Sequence, residues 1–377
     1  MTTGGASTGG ASGTGGAPSG GVAGSQSGGA PTAGAGTGGA PIGGASGSGG
    51  QGTTDVTTYF AGLRCGAHYT AFGDGGWTFC LRLEDGSGAC TMALGSEVFQ
   101  RATFQGGGAI NNVAQIAGIN DNGALVVTAA GALHYGSSFT AISTTPLIAS
   151  GVVNVTAGRN ARAALVREGT GFKVMGWTGD SAPAAIALPS GVRPVQVSAN
   201  YGIACALDDT GSVYCWEAGG NHDLGVTTTP SKMAFDKPLK MISVGQNTVC
   251  GVSFTNTLDC KAGWYSSPWL PTEGMAPNFK VRQSTFPMVR SVHAGYHYGI
   301  IVRGDGQAFY LGDASPGMDN PGTAFTGATD VVAAGGDRGN ACVLTGTGAV
   351  YCRAGGSVKQ ATLGGSALKA VAAACMP

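Results

Sequence analysis

Eight of the ten cysteines in this 377-residue chain fall into four pairs at one spacing: Cys80/Cys90, Cys205/Cys215, Cys250/Cys260 and Cys342/Cys352. Nine residues separate the members of each pair, with a turn-like stretch near the middle. Unrelated cysteines would not repeat one interval four times, so the chain carries an internal structural repeat. Apolar alternation on both sides of a Gly or Asp-Gly turn forms an antiparallel hairpin in which residues i and i+10 stand opposite each other. Opposed residues bring their Cβ atoms within disulfide range. The spacing therefore predicts four hairpin disulfides, each contributing about 2–3 kcal/mol on the chain-entropy account.

The same frame fits three places that lack cysteine. Val113–Gly118 leads to Leu125 and Tyr135, Val152–Gly158 to Leu165 and Met175, and Val289–Gly295 to Ile300 and Tyr310. First positions then fall at 80, 125, 165, 205, 250, 300 and 342, at intervals of 45, 40, 40, 45, 50 and 42 residues. Seven copies at this period predict an all-β repeat architecture of short antiparallel strands. After the seventh copy, Leu368-Lys369-Ala370-Val371 matches the start of an eighth, compared with Leu239-Lys240-Met241-Ile242, and then the chain stops. A lone opening strand there would complete the first copy and close a ring. The two remaining cysteines, Cys65 and Cys375, flank the repeats, and a Cys65–Cys375 disulfide locking that closure is expected, with two buried thiols as the alternative.

Residues 1–54 contain no charged and no aromatic side chain, only Gly, Ala, Ser, Thr and Pro with rare exceptions. Such a stretch cannot bury enough apolar area to offset backbone ordering, so it is read as a disordered tether with a reach of ~40 Å, followed by a folded domain over 55–377. Its Gly5-Ala6-Ser7-Thr8-Gly9 matches a hydrolase nucleophile pattern by composition alone, with no strand before it or helix after it. Formal net charge is zero, which argues against a polyanion partner, and nucleic acid is not expected. No run of apolar residues is long enough to span a membrane as a helix. Regular cysteine pairs argue for an oxidising compartment, yet no signal peptide is visible. The expectation is an extracellular or cell-surface protein whose export signal, with or without a membrane anchor, lies upstream of Met1. The tether is similar to stalks in exported proteins of myxobacteria and their relatives.

Gly211-Ser212-Val213-Tyr214-Cys215-Trp216, followed by Asn221-His222-Asp223-Leu224-Gly225, resembles the repeat of the regulator of chromosome condensation family, the RCC1-type repeat. Cys205-Ala206-Leu207 resembles that repeat's preceding segment in the cysteine-bearing form of exported bacterial proteins. Only the fourth copy is close to the full motif, and the likeness extends over about residues 60–377. It implies a seven-bladed β-propeller. It implies little about function, since relatives include a nucleotide-exchange factor, a light sensor and a β-lactamase inhibitor. The five tryptophans are spread over four copies, which does not suit a light sensor.

Chemistry-bearing clusters are sparse. His68, His134, His222, His293 and His297 form no metal-ligand spacing, and the Asp-rich turns Asp208-Asp209 and Asp313 to Asp319 read as turn formers. No phosphate loop or dinucleotide fingerprint is present. The chain is therefore read as a non-enzymatic binding module, a monomer without cofactor or metal. An inhibitor, an enzyme using one face and a surface-display unit are the alternatives. In each copy the loop before the first-position residue should emerge on one face. That face collects Trp77, Asn120, Asp121, Arg159, Asn160, Arg162, Tyr201, Gln246 and Asn247. It continues with Tyr296, His297, Tyr298, Asp337, Arg338 and Asn340. Tyr, Trp and Arg among amides make a recognition surface for a protein or glycan. Trp264 and Trp269 in a Pro-containing loop form a second candidate, either exposed for stacking or packed between blades.

Overall fold

The computed structural model describes residues 73–74, 78–92, 97–119, 122–219, 224–262, 272–273, 280–281, 286, 288–295, 298–312, 323–325, 327–337, 340–354 and 357–371. Every regular element among them is a β-strand, and these form a seven-bladed propeller. Each blade is an antiparallel meander. Inner, second and third strands are Val113–Ile119, Gly123–Thr128 and Leu133–Gly136 in blade two, and Val152–Ala157, Ala161–Glu168 and Gly171–Thr178 in blade three. Blade four has Pro194–Asn200, Ile203–Asp208 and Val213–Glu217, and blade five Leu239–Val244, Thr248–Ser253 and Leu258–Ala262. Blade six has Val289–Ala294, Tyr298–Arg303 and Ala308–Gly312, and blade seven Val331–Asp337, Asn340–Thr345 and Val350–Ala354. In blade one, Gly73–Asp74 lies beside Thr78–Arg82, then Gly88–Met92 and Val98–Arg101. Each inner strand touches the next, and that of blade seven touches that of blade one, so the ring is closed.

Among the described residues the apolar core is divided rather than central. Seven apolar clusters lie one at each blade boundary; Ile203, Leu207 and Cys215 of blade four, for example, pack on Leu239, Ile242 and Val249 of blade five. A strand between two such layers is buried on both faces, which is why Val113–Ile119 and Ile203–Asp208 are buried at every position. Such strands read as apolar runs rather than strict alternations.

All four expected hairpin disulfides are present. Cys80–Cys90, Cys205–Cys215, Cys250–Cys260 and Cys342–Cys352 have Cα separations of 4.1, 4.1, 4.0 and 4.0 Å. This is the close approach of a non-hydrogen-bonded cross-strand pair. In each bridge a second-strand cysteine (Cys80, Cys205, Cys250, Cys342) stands directly opposite a third-strand one (Cys90, Cys215, Cys260, Cys352). Each bridge sits in the cluster shared with the following blade. Leu125 stands opposite Tyr135 and Ile300 opposite Tyr310, as the spacing predicts.

Blade three departs from the expected frame. Leu165 pairs with Val174, and Met175 with Ala164. Thr156 stands beside Ala163 as Ser198 stands beside Cys205, so Ala163 with Gly176 holds the disulfide position. The cause is a longer hairpin closed by a two-residue turn at Gly169-Thr170. Ile186 fills the space a larger residue would need: a Cβ on Gly176 would lie 2.9 Å from its side chain.

Ring closure uses the chain's end, two residues out of the expected register. Ala370, not Leu368, is the counterpart of Leu239: its N–H donates to Gly348 O at 2.9 Å, as Leu239 N–H donates to Gly211 O. Ala370 pairs with Leu83, and Val371 N–H donates to Arg82 O at 3.1 Å. Blade one's inner edge is thus shared between Ala370-Val371 and Gly73–Asp74, the latter beside Phe79 and Cys80. At the rim, Thr362 and Leu363 run parallel to Val98 and Phe99. Cys65 and Cys375, and the tail over 1–54, lie outside the described residues.

Two regularities were not visible in the sequence. Six inner strands carry a bulge after their first residue, between Val113/Gln115, Val152/Asn154, Pro194/Gln196, Leu239/Met241, Val289/Ser291 and Val331/Ala333. The polar residues that follow bond the next blade's backbone. Gln115 and Gln196 hold both backbone groups of Val155 and Ile242. Thr156, Ser198 and Ser243 accept from the N–H groups of Ala199, Val244 and Ala294 at 3.1, 3.0 and 2.9 Å. An inner strand is the edge of its sheet, and these side chains satisfy groups that would otherwise be buried without partners.

Candidate functional site

The loops between inner and second strands gather on one face because every blade repeats the same strand order. In blade three the inner strand ends at Ala157, and Gly158 N–H donates to Ala161 O at 2.9 Å, closing a tight loop over Arg159 and Asn160. Blade four has a turn of the same length: Asn200 pairs with Ile203, leaving Tyr201 and Gly202. Tyr201 has φ 46°, a left-handed conformation unusual for a bulky residue and costly by about 1–3 kcal/mol. The Arg159 guanidinium lies 5.5 Å from the Tyr201 ring centroid, a cation–π contact across the blade boundary. The loops approach so closely that a Cβ on Gly158 would overlap Asn200 Cα. In blade five Gly245 N–H donates to Thr248 O, and Gln246 N–H reaches Gly295 O of blade six at 3.3 Å.

Arg159 is exposed, while Asn160, Tyr201 and Gln246 are half-buried. Asn247 is buried. Tyr298, Asp337 and Asn340 begin or end strands at the same face, with Asp337 paired to Asn340. Trp77, Asn120, Asp121, Tyr296, His297, Arg338, Trp264 and Trp269 lie outside the described residues.

Arg162 is not displayed on a loop as expected. The loop closes at Ala161, so Arg162 already lies in the second strand, opposite Trp177, and is only 5% exposed. Its guanidinium lies 4.9 Å from the Tyr135 ring centroid in blade two. Sequence reasoning passed over Tyr135 and Asp180 here: the Tyr135 hydroxyl donates to Asp180 Oδ1 at 2.6 Å. Burial and that carboxylate hold the Tyr135 phenol above its ordinary pKa.

The described cysteines, histidines and turn acids serve structure, while His68, His222, His297 and the stretch from Asp313 to Asp319 lie outside the described residues. Cys80, Cys90, Cys205, Cys215, Cys250, Cys260, Cys342 and Cys352 are all buried between blades and oxidised in pairs, so none offers a thiol to a ligand or reaction at the loop face. His134 and His293 are buried, and His134 Nδ1 meets Ser143 O at 3.0 Å. Asp208 Oδ1 accepts from Thr210 N–H, Thr210 Oγ1 and Ser212 N–H, capping its hairpin turn. Among the described residues no three His, Cys, Asp or Glu side chains are placed to hold a metal ion.

No protein-family model matches the sequence, and no curated protein does. Solved structures do match the fold. Human WBSCR16 superposes with a TM-score of 0.55 at 13% identity, covering 73% of this chain and 87% of that one. Yeast RCC1 (Prp20), in a structure bound to Kap60, gives 0.51 at 14%, covering 82% and 84%. The ectodomain of the Arabidopsis thaliana receptor kinase ACR4, described as a CRINKLY WD40 domain, gives 0.52 at 16%, covering 78% and 99%. At these identities the likeness is one of fold, that of an RCC1-like seven-bladed propeller.

Proposed function

We propose that this RCC1-like seven-bladed propeller is a non-enzymatic protein-binding module that recognises its partner through the loop face. The observation that carries the reading is the Arg159–Tyr201 pair. A bulky residue is held at positive φ, and its ring supports an exposed guanidinium on the ring of loops. Backbone strain of this kind gathers at recognition sites, and Tyr and Arg dominate binding hot spots. Structures sharing the fold belong to proteins that engage other proteins: Prp20 is described bound to Kap60, and by its binding to Gsp1p and histones.

The proposal places the protein outside the cell. Four buried disulfides suit an oxidising compartment, and the ACR4 match is an ectodomain. Residues 1–54 serve as its tether. The test is capture of the natural partner from envelope and culture medium, comparing wild type with Arg159→Ala/Tyr201→Ala. An Arg193→Ala/Asp305→Ala protein, altered on the opposite turn face, is the control. The loop-face variant should lose the partner and the control retain it; equal capture by both would reject the reading.

A further inference from the structure

Blade three sets an arginine against each of its neighbours: Arg159 on Tyr201 of blade four, and Arg162 on Tyr135 of blade two. The two are three residues apart, on either side of the closed loop.

Their electrostatic situations are unequal and both incomplete. Arg162 is buried, and its Nη1 is 3.9 Å from Asp180 Oδ1, a loose contact for an ion pair. The Asp180 side chain is 79% exposed, on a turn fastened by Ser181 Oγ donating to Thr178 O at 2.7 Å. Two N–H groups in this slot, Arg162 Nε and Trp177 Nε1, have no acceptor among the described residues, although both residues are only 5% exposed. Such buried donors are costly unless paired. Arg159 makes no ion pair among the described residues. The patch therefore sets two guanidinium groups and a phenol, with an indole N–H buried among them, against one carboxylate held at its lip.

We propose that this part of the loop face, from Tyr135 to Tyr201, docks an acidic peptide segment. Arg159 takes one carboxylate as an open fork. A second carboxylate replaces Asp180 on Arg162 and the Tyr135 hydroxyl, so that Asp180 acts as a built-in surrogate for the ligand. The surrogate's own chemistry selects a carboxylate: a planar two-oxygen acceptor already receives the phenol at 2.6 Å. A neutral glycan would leave Arg162 no better neutralised, and two arginines in a chain of zero net charge are too few for a nucleic-acid backbone. This inference rests on the loop-face reading above.

The experiment uses the whole chain with its disulfides intact and a fluorescein-labelled hexaglutamate peptide, followed by anisotropy at neutral pH. Hexaserine and a phosphoserine peptide serve as comparisons. Wild type should bind hexaglutamate, and Asp180→Asn should bind it about fivefold more tightly once the competing charge is gone. Arg159→Gln and Arg162→Lys should each weaken binding about tenfold, the lysine keeping the charge but losing the fork. Thermal melts identify any variant that fails to fold; if Arg162→Lys does, Asp180→Asn and Arg159→Gln carry the test. Unchanged or weaker binding by Asp180→Asn, or full affinity in Arg159→Gln, would overturn the proposal, as would preference for phosphoserine. Should hexaglutamate bind neither wild type nor Asp180→Asn while the loop-face double variant still loses its natural partner, the acidic class falls and the loop-face reading stands.

Discussion

The side chain of Gln196 in blade four holds both backbone groups of Ile242 in blade five. Its Nε2 donates to Ile242 O, and Ile242 N–H donates to its Oε1, each at 3.0 Å. An extended strand from one blade thereby finds, in a neighbour's amide, the partners it would have had in a sheet. Gln115 does the same for Val155 at 2.9 Å in both directions. Blades are joined by apolar packing and by this set of polar side-chain bonds.

Replacing Gln196 with Leu keeps the volume but strands a buried donor and acceptor. The expected loss is about 2–4 kcal/mol, read as a lower urea midpoint at unchanged slope. Ser198→Ala, which removes the single acceptor for Val244 N–H at 3.0 Å, should cost about half as much. A Gln196→Leu protein as stable as wild type would show that these bonds add nothing.

Disulfide loss should act locally. A Cys205→Ala/Cys215→Ala protein is expected to lose about 2–3 kcal/mol, since the bridge closes a short loop of sequence separation 10. Both cysteines are fully buried. The folded protein should therefore resist mild reductant, and intact mass should show no reduction before unfolding.

Strand pairing was legible because disulfide geometry and turn chemistry are local: the 205/215 frame and the Asp208 cap follow from neighbouring residues. Three things were not. The frame failed at Leu165 because turns of two lengths fit the stretch around Gly169 and Gly171, and the Ile186 side chain that packs beside Gly176 comes from another segment. Arg162 read as a loop residue because where a loop closes depends on a backbone bond, Gly158 to Ala161, that no side chain announces. The Gln196 and Gln115 bonds join residues about a full repeat apart, so no local pattern distinguishes them from surface amides.

Acid should weaken blade one. The Ser87 hydroxyl, then the Ser87 N–H and Arg101, lower the Asp85 pKa from its ordinary value near 3.8 to about 2. The carboxylate accepts from Ser87 Oγ at 2.6 Å and faces Arg101 Nη1 at 2.7 Å. Because the folded-state pKa is the lower one, the contribution is full above about pH 4 and is lost as pH falls through about 2. Wild type and Asp85→Asn should thus differ in melting temperature at pH 5 and converge near pH 2. A constant difference across that range would exclude Asp85 as the titrating group.

Ring closure can be tested at Leu368, which is 1% exposed in the cluster joining blades seven and one. Leu368→Ala should cost about 2–5 kcal/mol. The effect should be polarised: faster amide exchange in Thr78–Arg82 and Val350–Ala354, with little change in blade four. Uniform loss across all blades would argue against a closure seam at that boundary.

The central claim is that recognition occurs on the loop face. Hydrogen exchange of the protein with and without its captured partner tests this most directly, because both faces report in one experiment. The account predicts protection at 158–162, 200–203 and 245–248, with the turns at 209–211, 255–256 and 304–306 exchanging as in the free protein. Protection confined to those turns, with the loops unchanged, would contradict it.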